Sequence, residues 1–155
     1  MSSLENALDI ISIWRNNKEK IVFTNGCFDL FHAGHAHSLA DAAKFGTKLI
    51  VGLNDDSSVH KLKGDDRPFN KLSSRAFVLA SLQAVDLVIP FSELNPENLI
   101  RAIIPDVLAK GSDYTLENIA GGAFVLENKG EVVRIPLLPD ISSTKIAEFM
   151  LNKND

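Results

Sequence analysis

The run Ile21-Val22-Phe23-Thr24-Asn25-Gly26-Cys27-Phe28-Asp29-Leu30-Phe31-His32-Ala33-Gly34-His35 decides the fold class. It opens on three bulky apolar residues, two of them β-branched, which reads as a strand covered on both faces. Beyond it Ala36, Leu39, Ala40 and Ala43 recur at helical spacing up to Gly46, expected to cap that helix, and Leu49-Ile50-Val51-Gly52-Leu53 reads as a second buried strand. Strand, helix and strand in that order make a parallel crossover unit.

The same alternation continues in both directions. Upstream, Leu4, Ala7, Leu8, Ile11 and Trp14 share a helical face, and polar Asn16 to Glu19 separate it from the first strand. Downstream, Val78, Leu79, Leu82 and Val85 precede Leu87-Val88-Ile89, and Leu99 to Ile103 precede Val107-Leu108-Ala109. Phe124 to Leu126 precede Val132-Val133-Arg134-Ile135, and Ile146, Phe149 and Met150 mark a last helix. The pattern predicts an α/β, doubly wound parallel sheet in a single domain over 1–155, with an N-terminal helix in 1–17 and a core over 20–151. Such sheets bind ligands outside the carboxyl ends of their strands, so the connections after Phe23, Leu53, Ile89, Ala109 and Ile135 are the ones to inspect. Among them Asn54 to Asn70 reads as a long polar loop.

Composition excludes several classes. The 155 residues are 45% apolar and 23% charged, enough for one core, and Lys plus Arg number 16 against 20 Asp plus Glu, a net charge of −4. That balance argues against a general nucleic-acid or membrane-surface binder, so any anion site must be local. Met1 to Glu5 lack the basic and apolar regions of a signal peptide, and a single cysteine, Cys27, fits a reducing compartment. A cytoplasmic protein that spans no membrane is expected.

His32 and His35 hold the strongest chemical signal. Two imidazoles three residues apart at a helix start face the same way and join free backbone N–H groups at the positive end of the helix dipole, an anion cradle suited to a triphosphate. Gly26 and Gly34 would let the main chain approach phosphate oxygens. Two other readings fit the same residues: capping or core histidines, and a metal site built from His32, His35, His37 and Asp29. Cys27 reads as a small buried residue, with no basic partner to make it a nucleophile. Lys61 and Lys63 are placed to reach phosphates from the long loop, or to lie solvated on it. Arg75 offers a guanidinium for a phosphate or a surface ion pair. Ser142, Ser143 and Thr144 stand where the last helix begins, giving an N-cap and a second phosphate-binding surface.

Taken together these segments resemble the nucleotidylyltransferases of the cytidylyltransferase-like group, whose signature is His-x-Gly-His, here His32-Ala33-Gly34-His35. The resemblance continues through Lys61-Leu62-Lys63-Gly64, Arg67-Pro68, Asn70, Arg75, Lys110-Gly111-Ser112-Asp113-Tyr114 and Ile141-Ser142-Ser143-Thr144-Lys145. Within the group it is most similar to the branch that adenylylates D-glycero-β-D-manno-heptose 1-phosphate, through Thr24-Asn25-Gly26-Cys27-Phe28-Asp29 and the two lysine-glycine motifs. Two positions depart from the usual pattern, Asp140 in place of a glycine and Ser143 in place of a threonine. Leu137-Leu138-Pro139 replaces the Arg-Thr pair of the relatives that make CDP-glycerol.

The resemblance implies a Rossmann-like fold and transfer of AMP from ATP to a sugar 1-phosphate, giving an ADP-sugar for cell-surface polysaccharide. It implies His32, His35 and Lys61 as catalytic. Gly26, Cys27, Phe28, Lys63, Lys110, Gly111, Asp113, Ser142, Ser143 and Thr144 would bind nucleotide, and Asn25, Asp29 and Arg75 the acceptor. Mg²⁺ is the expected cofactor, bridging the triphosphate with few protein ligands. A homodimer and a separate sugar kinase acting upstream are the implied partners. Other readings are a glycerol-3-phosphate cytidylyltransferase, an FAD-synthetase-like enzyme, a non-catalytic nucleotide sensor and a metal-binding redox or regulatory protein.

Overall fold

Five apolar runs become the strands β1 (Ile21–Gly26), β2 (Lys48–Asn54), β3 (Leu87–Phe91), β4 (Val107–Gly111) and β5 (Glu131–Ile135). The structure is a computed structural model that describes residues 1–113, 115, 118–139 and 142–151, the last four by their backbone. All strand pairs are parallel, in the order β3-β2-β1-β4-β5. β1 is therefore central, matched to β2 from Ile21↔Lys48 to Gly26↔Leu53 and to β4 at Val22↔Val107 and Phe23↔Leu108. The order reverses at β1, which opens a crevice beyond its carboxyl end.

Among the described residues seven helices cover the sheet: α1 (Leu4–Asn16), α2 (Ala33–Ala43), α3 (Asp56–Lys63), α4 (Leu72–Ala80), α5 (Glu97–Ile103), α6 (Gly122–Glu127) and α7 (Ser143–Leu151). Alternation along the strands sorts the core into two layers. Ile21, Phe23, Ile50, Ile89 and Leu108 pack with Ala7 and Ile11 of α1 and Ile100 and Ile103 of α5. Val22, Leu49, Val51, Val88 and Val107 pack with Leu39 and Ala42 of α2 and Ala76 and Leu79 of α4. Continuous apolar strands are stable only when both faces are dry, and here both are. Among the described residues no helix is long and apolar enough to cross a membrane.

Three local expectations change. α2 stops at Ala43 with Lys44 as its cap, and Gly46 serves the turn into β2 instead. A Cβ there would lie 2.5 Å from the Lys20 carbonyl oxygen and 2.6 Å from Val22 Cγ2. The stretch 54–70 is not one long loop, because Asp55 accepts from the Ser58 N–H at 2.7 Å and caps the two-turn helix α3. Gly64, at φ 102°, ends it. α4 closes at Ala80, leaving Leu82 and Val85 in the turn before β3.

The crowding at Gly46 gives a stability test. Gly46→Ala is expected to cost about 1–3 kcal/mol, the range for overpacking against a fixed backbone atom, read as a lower urea midpoint with an unchanged slope.

Candidate active site

β1 hands the chain to Cys27-Phe28-Asp29 at the crevice. Phe28 takes a left-handed backbone conformation, φ 46°, and its ring lies 3.0 Å from where a Gly26 Cβ would stand. Glycine at 26 thus makes room for an aromatic ring of its own loop. His32, at φ −143° and ψ 172°, is the N-cap of α2, its Nδ1 accepting from the His35 N–H at 3.4 Å. The capping reading and the cradle reading are compatible, since a ring capped through Nδ1 keeps Nε2.

The two imidazoles stack, with centroids 3.8 Å apart and planes inclined by 18°. Phe28 and Phe31 close on His35 at centroid distances of 5.1 and 5.5 Å. Burial, helped by the neighbouring His32 and Lys63 charges, pulls His35 down to about 4. Burial also lowers His32. At neutral pH His35 is a neutral hydrogen-bonding group, and the positive charge of the site comes from elsewhere.

That charge lines a cleft of about 450 Å³, within the size range of small-molecule sites. Lys63 of α3, Arg67 of the α3–α4 connection and Lys110 of β4 all line it. Lys110 Nζ donates to Asn25 Oδ1, and burial draws its pKa down to about 8 against the opposing pull of Asp113 and Cys27. Ser143 and Thr144 reach the cleft from the start of α7. Ser143 Oγ donates to the Leu30 carbonyl at 3.3 Å and fastens α7 to the β1–α2 loop, while Ser142 Oγ accepts from the Lys145 N–H at 3.2 Å.

Of the residues expected from sequence, Asn25, Gly26, Cys27, Phe28, Asp29, His35, Lys63, Lys110, Ser143 and Thr144 line the cleft. His32 backs His35. Gly111, Asp113 and Ser142 adjoin without lining it. Asp113 packs its carboxylate where Gly111 lacks a Cβ, beside Lys110. Asp140, Ile141 and Tyr114 lie outside the described residues.

Three assignments need correction. Lys61 is exposed on α3 and does not line the cleft, whereas Lys63 does. Arg75 is 2% exposed and fully engaged. Its Nε donates to the Asn70 carbonyl at 2.9 Å, Nη1 to the carbonyls of Cys27 and Asn54 at 2.7 and 2.8 Å, and Nη2 to Asp56 Oδ1 at 2.8 Å. It is a scaffold residue, buried outside the cleft with four of its five N–H groups bonded to the protein. The Asp29 carboxylate accepts from Arg67 Nη1 at 2.9 Å and from the N–H groups of Phe69 and Asn70 at 3.0 and 2.9 Å. Burial pushes this carboxyl up, but those bonds outweigh it and hold Asp29 below the ordinary range. Asp29 organises the wall of the cleft.

The metal reading also loses its ligands. Asp29 is committed, His37 pairs with Asp41 at 3.5 Å along α2, and no group of three or more His, Cys, Asp or Glu converges among the described residues. Cys27 Sγ lies 4.0 Å from Asn54 Oδ1, and burial raises its pKa, so it remains a thiol at neutral pH. Sequence reasoning missed Arg67, Asn95, Pro96 and Asn118 as lining residues. Asn95 and Pro96 follow β3, one of the strand ends marked for inspection.

Comparison with known proteins bears on the family and the fold. Residues 23–149 match the family model of the cytidylyltransferase-like family. The bifunctional protein HldE of Coxiella burnetii is 50% identical over 138 residues, 89% of this chain and 29% of its own length. The protein of the same name from a Caulobacter species is 51% identical over 146 residues, 94% of this chain and 30% of that one. The chain thus spans about a third of the length of these curated relatives. Among solved structures, a lipopolysaccharide core biosynthesis protein from Thermoplasma volcanium shares the fold, with TM-score 0.64, 23% identity and coverage of 77% of this chain and 97% of that one. Pantothenate synthetase from Thermus thermophilus does so at TM-score 0.61 and 17% identity, covering 88% of this chain and 65% of that one.

Two measurements check the site. His35 ring resonances should titrate near pH 4, and a midpoint near 6.5 would contradict the packing described. Because the folded pKa lies below the unfolded one, the unfolded chain binds more protons between pH 6.5 and about 4, so stability is full above that window and falls as pH drops through it. His35→Asn should flatten that part of the curve. Arg75→Met should cost about 2–5 kcal/mol in chemical denaturation, because it strands buried carbonyls.

Proposed function

The chain belongs to the cytidylyltransferase-like family, and on that premise we propose that it transfers AMP from ATP to D-glycero-β-D-manno-heptose 1-phosphate, giving ADP-heptose and pyrophosphate. One observation carries the reading: two hydroxyl- or imidazole-bearing helix starts and three cationic side chains converge on one cleft beyond the central strand. Half-identity to relatives named HldE supports the heptose branch, as do the motifs at Leu62-Lys63-Gly64, Arg67-Pro68 and Lys110-Gly111-Ser112-Asp113.

In the proposed reaction an acceptor phosphate oxygen attacks the α-phosphorus of ATP, the bond to the β-phosphate oxygen breaks, and pyrophosphate departs. The attacking oxygen is already ionised, so no protein base and no protein nucleophile are needed, in keeping with a neutral His35 and a protonated Cys27. The protein's work is to align the two substrates and stabilise charge on the phosphoryl oxygens. His32 and His35 donate N–H bonds at the start of α2, where backbone N–H groups add to them. Ser143 and Thr144 do the same from α7. Lys63 and Lys110 bring positive charge from two different elements, α3 and β4.

Mg²⁺ would enter on the triphosphate and neutralise part of its charge. The residues fit a metal carried in this way: the carboxylate among the described lining residues, Asp29, is saturated by Arg67 and two backbone N–H groups. Heptose 1-phosphate must itself be made by a phosphorylating activity outside the residues described. ATP as donor suits a cytoplasmic setting.

The test is pyrophosphate release with ATP or CTP and either heptose 1-phosphate or glycerol 3-phosphate, with His32→Ala alongside. Release with ATP and the heptose phosphate, reduced at least 100-fold in His32→Ala, is expected. Release only with CTP and glycerol phosphate would reassign the substrates within the family, and nucleotide binding without release would indicate a sensor.

A further inference from the structure

We propose that Arg67 is the residue that binds the phosphate of the acceptor, a role that the family resemblance had given to Arg75. The inference rests on the transfer reaction proposed above and names the group that recognises its second substrate. Arg75 has its guanidinium nitrogens bonded to three carbonyls and to Asp56, and is excluded from the cleft. Arg67 lines the cleft and keeps 13% of its side chain exposed.

The Arg67 guanidinium is held in place from two directions. Nη1 donates to Asp29 Oδ2 at 2.9 Å, and the Phe69 ring lies 4.3 Å from Cζ. Asp29 does not depend on Arg67 alone, since the Phe69 and Asn70 N–H groups already serve its carboxylate. The bond to Nη1 uses one of the fork's donor sites. Nε and Nη2 form an edge that matches two oxygens of a phosphate monoester, and a clamped fork loses little side-chain entropy when it binds.

Position assigns this fork to the acceptor. The His32 and Ser143 helix starts form one wall, joined by the Ser143–Leu30 bond, and α7 follows β5. Arg67 belongs to the connection that follows β2, on the side of β1 away from β4 and β5. In-line displacement brings acceptor and leaving group to the α-phosphorus from opposite sides. With the triphosphate on the helix-start wall, the acceptor phosphate meets the wall of Arg67, beside Asn95 and Pro96 of the β3–α5 connection.

The test separates the two substrates. Arg67→Lys keeps the charge and loses the fork, and should raise KM for heptose 1-phosphate at least tenfold while KM for ATP moves less than twofold. Calorimetric titration of heptose 1-phosphate into enzyme saturated with a non-hydrolysable ATP analogue should show the same tenfold weakening, with affinity for the analogue unchanged. Equal loss for both ligands, or a fall in kcat with both KM values intact, would overturn the assignment. A thermal melt of Arg67→Lys within a few degrees of wild type establishes that the fold is kept. If that variant is unfolded, phenylglyoxal labelling of the wild-type protein decides: protection of Arg67 by heptose 1-phosphate or inorganic phosphate supports the assignment, and protection by the ATP analogue alone overturns it. Absence of turnover in the wild-type enzyme would refute the proposed reaction, and the binding and labelling experiments would still decide the role of Arg67.

Discussion

Three separate pieces of chain meet at the buried guanidinium of Arg75, and the cleft exists because they do. Its nitrogens hold the carbonyls of Cys27 beyond β1, Asn54 at the end of β2 and Asn70 before α4, together with the carboxylate of Asp56 in the first turn of α3. Carbonyls at strand ends have left the sheet's hydrogen-bond ladder and, once buried, need donors. One planar group with five N–H donors meets that need at three places. The neighbouring Asp29 does the complementary work, accepting from two N–H groups and a second arginine. Between them these two side chains fix the loop after β1 against the connection after β2, and the shape of the substrate-facing wall follows.

Charge in the site is distributed with a clear division of labour. His35 is packed by Phe28 and Phe31, and burial keeps it neutral. Cations approach from Lys63, Arg67 and Lys110, each on a different element. A neutral donor against a phosphoryl oxygen carries no proton to be lost between pH 6 and 8, so its hydrogen bond is the same across that range.

The sheet was legible because parallel strands must be apolar on both faces, and each of the five showed as a short β-branched or leucine-rich run. The paired histidines and the hydroxyls of α7 were legible because helix starts announce themselves by composition. What could not be read was which of two similar side chains turns inward. Lys61 and Lys63 are two residues apart, which on a helix is about 200° of rotation. Once Asp55 nucleates α3 they face different ways, and a loop reading could not separate them. Arg67 and Arg75 pose the same difficulty at longer range. Both are arginines in motif positions, and only the strand ends brought beside Arg75 by tertiary folding reveal that its guanidinium is buried on backbone carbonyls. Gly46 carried a signal that was assigned to the wrong cause, since it accommodates the Lys20 carbonyl, while Gly26 lines the cleft and also makes room for a phenylalanine ring.

The central strand of the sheet is β1, the first strand in the chain, and its two flanking partners are β2 and β4. During synthesis one edge of β1 is satisfied almost at once by β2, while the other waits until Val107 and Leu108 have emerged. For that interval a row of peptide groups at the middle of the future core has no strand beside it, an open edge of the kind that invites pairing with another chain. Later still, α7 brings Ser143 to Leu30 across 113 residues of sequence. A nucleotide held jointly by α2 and α7 would thus be gripped only once α7 has docked, and a chain without α7 in place would carry the histidines without the means to use them.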